Sequence, residues 1–364
     1  MKSLSNSKFG ILKYMIAHES ATKADLSRNL NLSMPTVISN VNEMLEQKLL
    51  IEIGEMKSNG GRKAKAYGIR KDYCFALGID ITRRHVGMVL VNLNGEIVKQ
   101  ERIRKEFVSD ITYCRGLERQ LFDFYFGEVE KEKILGVGIS IPGIINQKEK
   151  LLVKSHALNL ENYSLKMLEQ MIPFQVYFEN DANAAMLAEN LETEENVIYV
   201  SLNNTLGGGV YINSELYTGK WQKAGEFGHM ILHPGGRKCY CGKLGCADAY
   251  CAASVLTHNG QEPLEKFMNQ IDKNQETNII WQEYLEDLAI LISNLRMSFD
   301  ADIILGGDVG GYLADNMTDL EDKLFKYNFF DKDVSYIKNC SYKKEASAVG
   351  VAKYFLRQFM ETIL

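Results

Sequence analysis

The sequence predicts a basic winged helix-turn-helix head followed by a two-lobed α/β body. Three observations carry this. The charge is divided: residues 1–70 hold 11 Lys/Arg against 6 Asp/Glu, and the rest hold 31 against 41. The hydrophobic pattern changes near Tyr73, from helical spacing to short apolar runs that end in polar or glycine-rich turns. A cysteine cluster, Cys239-x-Cys241-x4-Cys246 with His229 upstream, has metal-ligand spacing deep in the body.

In the head, Ser7 to His18 reads as a helix with Phe9, Ile11, Leu12, Met15 and Ile16 on one face. Thr22 is placed to cap a second helix over 23–30, and Ser33 to cap a third that carries Pro35 in its first turn. Val37, Val41, Met44, Leu45 and Leu49 continue the apolar stripe. Leu50–Ile53 and Ala66–Ile69 read as two strands joined by the basic, glycine-rich turn Lys57–Lys65. In this order of elements the third helix enters a major groove. Ser33, Thr36, Ser39 and Asn40 are then the candidates for phosphate or base contacts, and Arg62, Lys63 and Lys65 on the wing for backbone contacts. Double-stranded DNA is the expected partner, and nothing in the head names its sequence.

In the body, Phe75–Asp80 and Val86–Val91 read as strands, and Asn94-Gly95 as a hairpin turn. A helix follows near 111–130, then the buried-strand run Ile134–Ile141, the strand Val176–Glu179 and a helix over 182–190. A second layer starts near Asn196: the strand Val197–Val200, the turn Asn203–Gly209, helices within 249–298, the strand Ala301–Leu305 and a closing helix over 346–360. Polar groups gather at strand ends, which places Asp80, Asn180, Asp181, Glu226 and His229 along a cleft between lobes. The expected domains are 1–70, 71–191 completed by 346–364, and 192–345.

Three thiolates and one imidazole form a closed four-ligand set for structural zinc: His229, Cys239, Cys241 and Cys246, with His233 as the alternative histidine. Such a set leaves no open position for catalysis. The odd cysteine count and the clustering fit a reducing compartment better than a disulfide framework, and Cys74, Cys114, Cys251 and Cys340 read as buried thiols. No 18-residue apolar span or secretory segment is present, so the expected location is cytoplasmic, with no membrane partner.

The chain resembles the ROK family (repressors, open reading frames, kinases) of the actin-like, ribonuclease H-like sugar-kinase superfamily. The resemblance rests on Gly78-Ile79-Asp80, on Glu179-Asn180-Asp181-Ala182-Asn183 running to Glu189, on Gly225-Glu226-Phe227-Gly228-His229, and on the segment Cys239–Asp248. The winged head is similar to the transcriptional branch, which includes xylose and N-acetylglucosamine regulators. The resemblance implies that Asp181 matches the general base of the family's kinases. It implies that Asn180, Asp181, Glu226, His229, Asp248 and Asn159 meet a monosaccharide or sugar derivative, with His156 on the same loop as Asn159. It also favours His229 over His233 as the zinc ligand. Asp248 stands where glutamate is usual.

On the nucleotide side the pattern departs from the kinases. Their Asp-x-Gly-Gly-Thr turn is Asp80-Ile81-Thr82-Arg83-Arg84 here, and their second glycine-rich loop is Asn203–Gly209. Asp80, Thr205, Gly207, Gly306 and Gly307 remain as a nucleotide-binding remnant. A retained base with an eroded phosphate cradle implies a sugar-responsive repressor of carbohydrate genes, acting as a homodimer or tetramer. The alternative is an ATP- and Mg2+-dependent sugar kinase with a regulatory head.

Overall fold

The computed structural model describes residues 2–56, 64–189, 196–258, 260–313, 317–328 and 330–362. Arg62 and Lys63 lie outside the described residues, as does the expected lobe boundary at 191/192.

The head comprises α1 (Lys2–His18), β1 (Ala21–Thr22), α2 (Lys23–Asn29), α3 (Met34–Glu46), β2 (Leu50–Met56) and β3 (Ala64–Ile69). Its three-stranded sheet has the order β1-β3-β2. Both expected caps form. Thr22 accepts from the Asp25 amide while the Asp25 side chain accepts from that of Thr22, a complete capping box. Ser33 accepts from the Thr36 amide, with Pro35 in the first turn of α3. Ile11, Leu12, Met15, Leu26, Val37, Val41 and Met44 are all fully buried beneath the helices.

The first lobe contains β4 (Phe75–Ile81), β5 (His85–Asn92), β6 (Ile97–Arg104), α4 (Ile111–Tyr125), β7 (Ile134–Ile141), β8 (Ile144–Asn146), β9 (Leu151–Ser155), β10 (Leu160–Ser164), α5 (Lys166–Met171), β11 (Val176–Asn180) and α6 (Asp181–Ala188). The second contains β12 (Val197–Leu202), β13 (Leu206–Ile212), β14 (Glu215–Leu216), α7 (Asp248–Cys251), α8 (Ala253–Leu256), α9 (Leu264–Met268), α10 (Gln275–Phe299), β15 (Asp302–Gly306), α11 (Gly307–Leu313), α12 (Met317–Leu324) and β16 (Ile337–Asn339).

The main sheets are β11-β7-β4-β5-β6 and β14-β13-β12-β15-β16. Each lobe therefore opens with three antiparallel strands and then adds two parallel ones beside its first. The two lobes repeat one topology, although no sequence repeat is visible. Because the inner strands β4, β7, β12 and β15 are nearly or wholly buried, they read as continuous apolar runs.

The last helix, α13 (Ala346–Thr362), joins the parts. It packs on α6, β4, β7 and β5. It lies so close that a side chain on Gly78 would meet the Ala348 carbonyl, and one on Gly350 the Ala184 carbonyl. Its far end carries Phe359 and Met360 into the hydrophobic core of the head, beside Tyr73, Cys74 and Leu93. One rigid rod thus runs from the inter-lobe cleft to the winged head.

Candidate functional site

A cavity of about 390 Å³ lies between the lobes, within the range of small-molecule sites. Asn180, Asp181, Glu226, His229, His156, Thr205 and Gly207 line it, so seven residues singled out from the sequence converge there. Sequence reasoning missed Lys154, Gln222 and Lys223, which carry no motif, and Tyr240, which lies inside the cysteine motif but was not singled out.

The end of β11 and the start of α6 build one wall. Asn180 is the N-cap of α6: its Oδ1 accepts from the Ala182 and Asn183 amides, and its Nδ2 donates to the Gly143 carbonyl at 2.9 Å. Most of its amide is therefore committed to the wall itself. Glu179, behind it, is buried and accepts from the Tyr177 hydroxyl, the Asn180 amide and Asn183 Nδ2. Asp181 faces the cavity, with its Oδ1 3.1 Å from the Ala182 amide. Burial raises its carboxyl above the usual range, and these amide contacts only partly offset that.

The opposite wall is the Gly225–His229 turn. Gly225 has φ +84°, and a Cβ there would strike the Gly208 carbonyl, so only glycine brings this turn down onto β13. Burial and the Asp181 charge raise Glu226, and Lys223 partly offsets them.

Two expected sugar contacts are not at the cavity. Asp248 is buried and accepts from the Leu206 amide at 2.7 Å. Burial pushes its carboxyl up to about 6. With one methylene fewer than the usual glutamate, it ties the metal turn to the β12–β13 loop and stops short of the cavity. Asn159 is an exposed left-handed turn residue (φ +54°) outside the lining.

His229, Cys239, Cys241 and Cys246 present one ligand atom each, all within 4.8 Å of one another. Cys241 Sγ and Cys246 Sγ are 3.7 Å apart, and Cys239 Sγ and His229 Nδ1 are 3.9 Å apart. Tetrahedral zinc with bonds of roughly 2.0–2.3 Å has edges of about 3.3–3.8 Å, close to these separations, so the donor set fits that ion. Nδ1 faces the thiols. Nε2 faces the cavity, 3.3 Å from the Tyr240 hydroxyl and 3.9 Å from Glu226 Oε2. His233 is committed elsewhere, with Nε2 2.5 Å from Asp287 Oδ1 on α10. Of the other cysteines, Cys74, Cys114 and Cys251 are buried and Cys340 is half-buried.

Of the residues expected on the nucleotide side, Thr205 and Gly207 line the cavity, and a network of the chain's own groups lies around Asp80. Arg102 on β6 donates to Glu345 Oε1 at 2.8 Å, and Glu345 sits directly over Gly87. Asp80 is buried beside this pair and accepts from Ser140 Oγ. Burial and the negative charges of Glu345 and Asp181 raise it to about 7. Across the cleft, Asn203 Oδ1 accepts from the Asp308 amide at the start of α11, where Gly307 closes on Leu202 and Asn203. Gly306 and Gly307 do not line the cavity. Arg102 and Glu345 carried no sequence signal, because each acts through a partner distant along the chain; Asn203 was marked only as part of the Asn203–Gly209 loop.

On α3, Ser33 and Ser39 are exposed and Thr36 is half-buried, with its hydroxyl 2.8 Å from that of Ser33. Asn40 is buried and donates to Ser7 Oγ at 2.8 Å, so it fastens α3 to α1 and is removed from the DNA-facing set. Met34 and Ile38 are exposed on α3 instead. Lys65 is exposed and pairs with Glu52 at 2.9 Å.

Residues 76–358 match the ROK family, and the chain belongs to that family. It is 29% identical over 289 residues to the xylose repressor of Bacillus subtilis (strain 168), covering 77% of this chain and 73% of that protein. A crystal structure of a ROK family transcriptional regulator, described as a homolog of the E. coli MLC protein, shares its fold with a TM-score of 0.74 at 18% identity, covering 99% of this chain and 98% of that one. A ROK family glucokinase from Streptomyces griseus, in complex with glucose and AMPPNP, covers 77% of this chain and 98% of its own, with a TM-score of 0.64 at 20% identity. Among the described residues, no helix is long and apolar enough to cross a membrane.

Proposed function

We propose that the protein is a sugar-responsive, DNA-binding transcriptional repressor of carbohydrate uptake or catabolism genes. One observation carries this reading: α13 begins at the cleft and ends inside the winged head. Ser347 Oγ donates to the Asp181 carbonyl at 3.0 Å, and Phe359 and Met360 pack in the head core. A sugar that closes the lobes changes the ground on which α13 rests, and the head moves with it. In a homodimer, or a tetramer, that movement changes the spacing of two recognition helices on a two-half-site operator. The names of relatives such as the xylose repressor support the same role.

Zinc fits the His229 cluster as a structural ion; when bound it fixes the imidazole tautomer and the turn that presents Glu226. Glu226, Asp181 and the remaining Asn180 N–H are the groups offered to ring hydroxyls.

Asp181 keeps the place of a general base, so kinase activity is the competing reading. The eroded glycine turn after Asp80 argues against it, and so do the contacts Arg102–Glu345 and Asn203–Asp308, which already engage groups beside that turn and at the start of α11. The test uses the full-length, zinc-loaded chain. A sugar from a hexose and pentose panel should raise the melting temperature, Glu226→Ala should abolish that shift, and the same sugar should alter binding to upstream DNA. ATP-dependent phosphorylation of a panel sugar, lost in Asp181→Asn, would overturn the sensor reading. Failure to retain any upstream fragment would overturn the repressor reading.

A further inference from the structure

Tyr240 stands between Cys239 and Cys241 and lines the cavity, although it belongs neither to the four-ligand metal set nor to the sugar-facing groups named above. Its hydroxyl is 3.3 Å from His229 Nε2, and Glu226 Oε2 is 3.9 Å from the same nitrogen. An imidazole that ligates through Nδ1 carries its proton on Nε2, so Nε2–H donates and the tyrosine hydroxyl accepts. The ring also reaches across the cleft. It is edge-on to His156, which follows β9 of the first lobe, with centroids 5.2 Å apart, and it lies 5.3 Å from the His229 ring of its own lobe. The backbone beneath it is fixed: the Cys239 amide donates to the Lys243 carbonyl, and the Gly242 amide to the Cys239 carbonyl. The residue itself is 48% exposed, so its side chain can turn about the Cα–Cβ bond without opening the core.

We propose that Tyr240 is a built-in competitor of the effector: its hydroxyl holds the position on His229 that a ring hydroxyl takes in the complex, and its ring ties the two lobes until the effector displaces it. This rests on the sugar-sensor reading and gives that site its regulation. Asp181 and Glu226 offer a sugar acceptors, whereas His229 Nε2–H offers a donor. A ring hydroxyl placed there would accept from Nε2 and donate to Glu226. The tyrosine hydroxyl already takes that donor, so the form seen here is closed to a sugar at His229. Apparent affinity then falls by the fraction of molecules that hold this form. The contest also filters ligands, because a sugar without a hydroxyl at that place breaks the tyrosine bond and leaves Nε2 unpaired. A tyrosine that served as a sugar contact would act with the opposite sign, since its loss would weaken binding.

Calorimetry on the full-length, zinc-loaded chain compares the parent with Tyr240→Phe and Tyr240→Ala, with each hexose and pentose of the panel as probe. Phenylalanine keeps the ring and removes the hydroxyl, so a sugar that binds the parent should bind Tyr240→Phe about two- to tenfold more tightly. Tyr240→Ala, which also releases His156, should gain at least as much. The sugar concentration that alters DNA binding should fall by the same factor. A crystal structure of the parent with that sugar should show the tyrosine hydroxyl out of hydrogen-bond reach of His229 Nε2 and a ring hydroxyl in its place. Weaker or unchanged binding by either variant would overturn this inference and leave the sensor reading standing. So would a sugar complex of the parent in which Tyr240 keeps its bond to His229, a result that depends on no variant. Absence of binding by every sugar, to the parent and to both variants, would remove the sensor reading and this inference together.

Discussion

Gly350→Ala should cost stability even though alanine is the better helix former. A methyl at this position would lie 1.6 Å from the Ala184 carbonyl oxygen, 2.7 Å from its carbon and 2.9 Å from the Ala188 nitrogen. All three are backbone atoms of α6 or its end, so no rotamer change relieves the overlap. Reaching even a 3.0 Å contact requires α13 to recede by about 1.4 Å. The strand side offers no slack, since α13 also rests on the Gly78 and Gly138 backbones. Intrinsic propensity favours alanine by about 1 kcal/mol, and overpacking against a close-packed core costs about 1–3 kcal/mol or more. Three overlaps with backbone place the cost at the top of that range or above it, so the balance is a net loss of about 2 kcal/mol or more. Gly10→Ala in α1 is the control, because nothing lies within 4 Å of its added methyl. That variant should gain up to about 1 kcal/mol. Urea unfolding of the three proteins reads both signs. A Gly350→Ala midpoint equal to the parent's, or shifted upward like that of Gly10→Ala, would refute the close seating of α13 and with it the rod that links cleft to head.

Three further outcomes follow from the same geometry. Metal analysis of the purified chain should find one zinc per molecule; Cys246→Ser should lose it, and chelation should lower the melting temperature. Asp80 is raised to about 7, so the folded state holds its proton more tightly than the unfolded chain does. Its contribution therefore favours folding at acid pH and is lost as pH rises from about 4 to about 7, by at most about 4 kcal/mol. Asp80→Asn should flatten that slope and be relatively more stable at pH 8; an unchanged stability–pH profile would count against a buried, proton-holding Asp80. Asn40→Ala should destabilise the head by about 1–3 kcal/mol, because its buried hydrogen bond to Ser7 is lost, whereas Ser39→Ala should leave stability within about 0.5 kcal/mol and weaken DNA binding. Equal stability of these two variants would contradict the placement of Asn40.

The parts legible in the sequence were those fixed by local chemistry. Thr22 and Ser33 stand where a helix start needs a side-chain acceptor, and both caps form as expected. The apolar runs 134–141 and 197–200 are short enough to read as buried strands, and Cys239, Cys241 and Cys246 sit too close in sequence to avoid one another. The misreadings came where a residue's role depends on a distant partner. Asn40 has the type and position of a base reader, but the helical face it occupies turns inward onto Ser7, 33 residues earlier. Asp248 has the chemistry of a sugar ligand, yet the Leu206 amide claims it first. Asn159 shares a loop with His156, but its left-handed turn carries it out to solvent. The matching 3-2-1-4-5 strand order of the two lobes showed in the sequence only as a hairpin-like strand pair opening each lobe, because topology survives changes in every side chain that keep the buried pattern.

The two halves of the cleft explain how a sugar site with a catalytic-type aspartate serves sensing on the proposed reading. In phosphoryl transfer, Asp181 would act only if a phosphate arrived in line with the sugar hydroxyl it accepts from. Here Arg102 and Glu345 are already paired beside Asp80, and Asn203 already accepts from the backbone amide of Asp308. A nucleotide that recruited these groups would have to separate a guanidinium from a buried carboxylate and strip a helix start of its acceptor, and both steps weaken its binding. The sugar half demands neither. Its carboxylates, a half-buried Asp181 and an exposed Glu226, face the cavity, where ring hydroxyls can donate to them. Binding energy at Asp181 and Glu226 is then available for closing the lobes, and α13, seated at Asp181 and embedded in the head, is the element positioned to carry that closure to DNA.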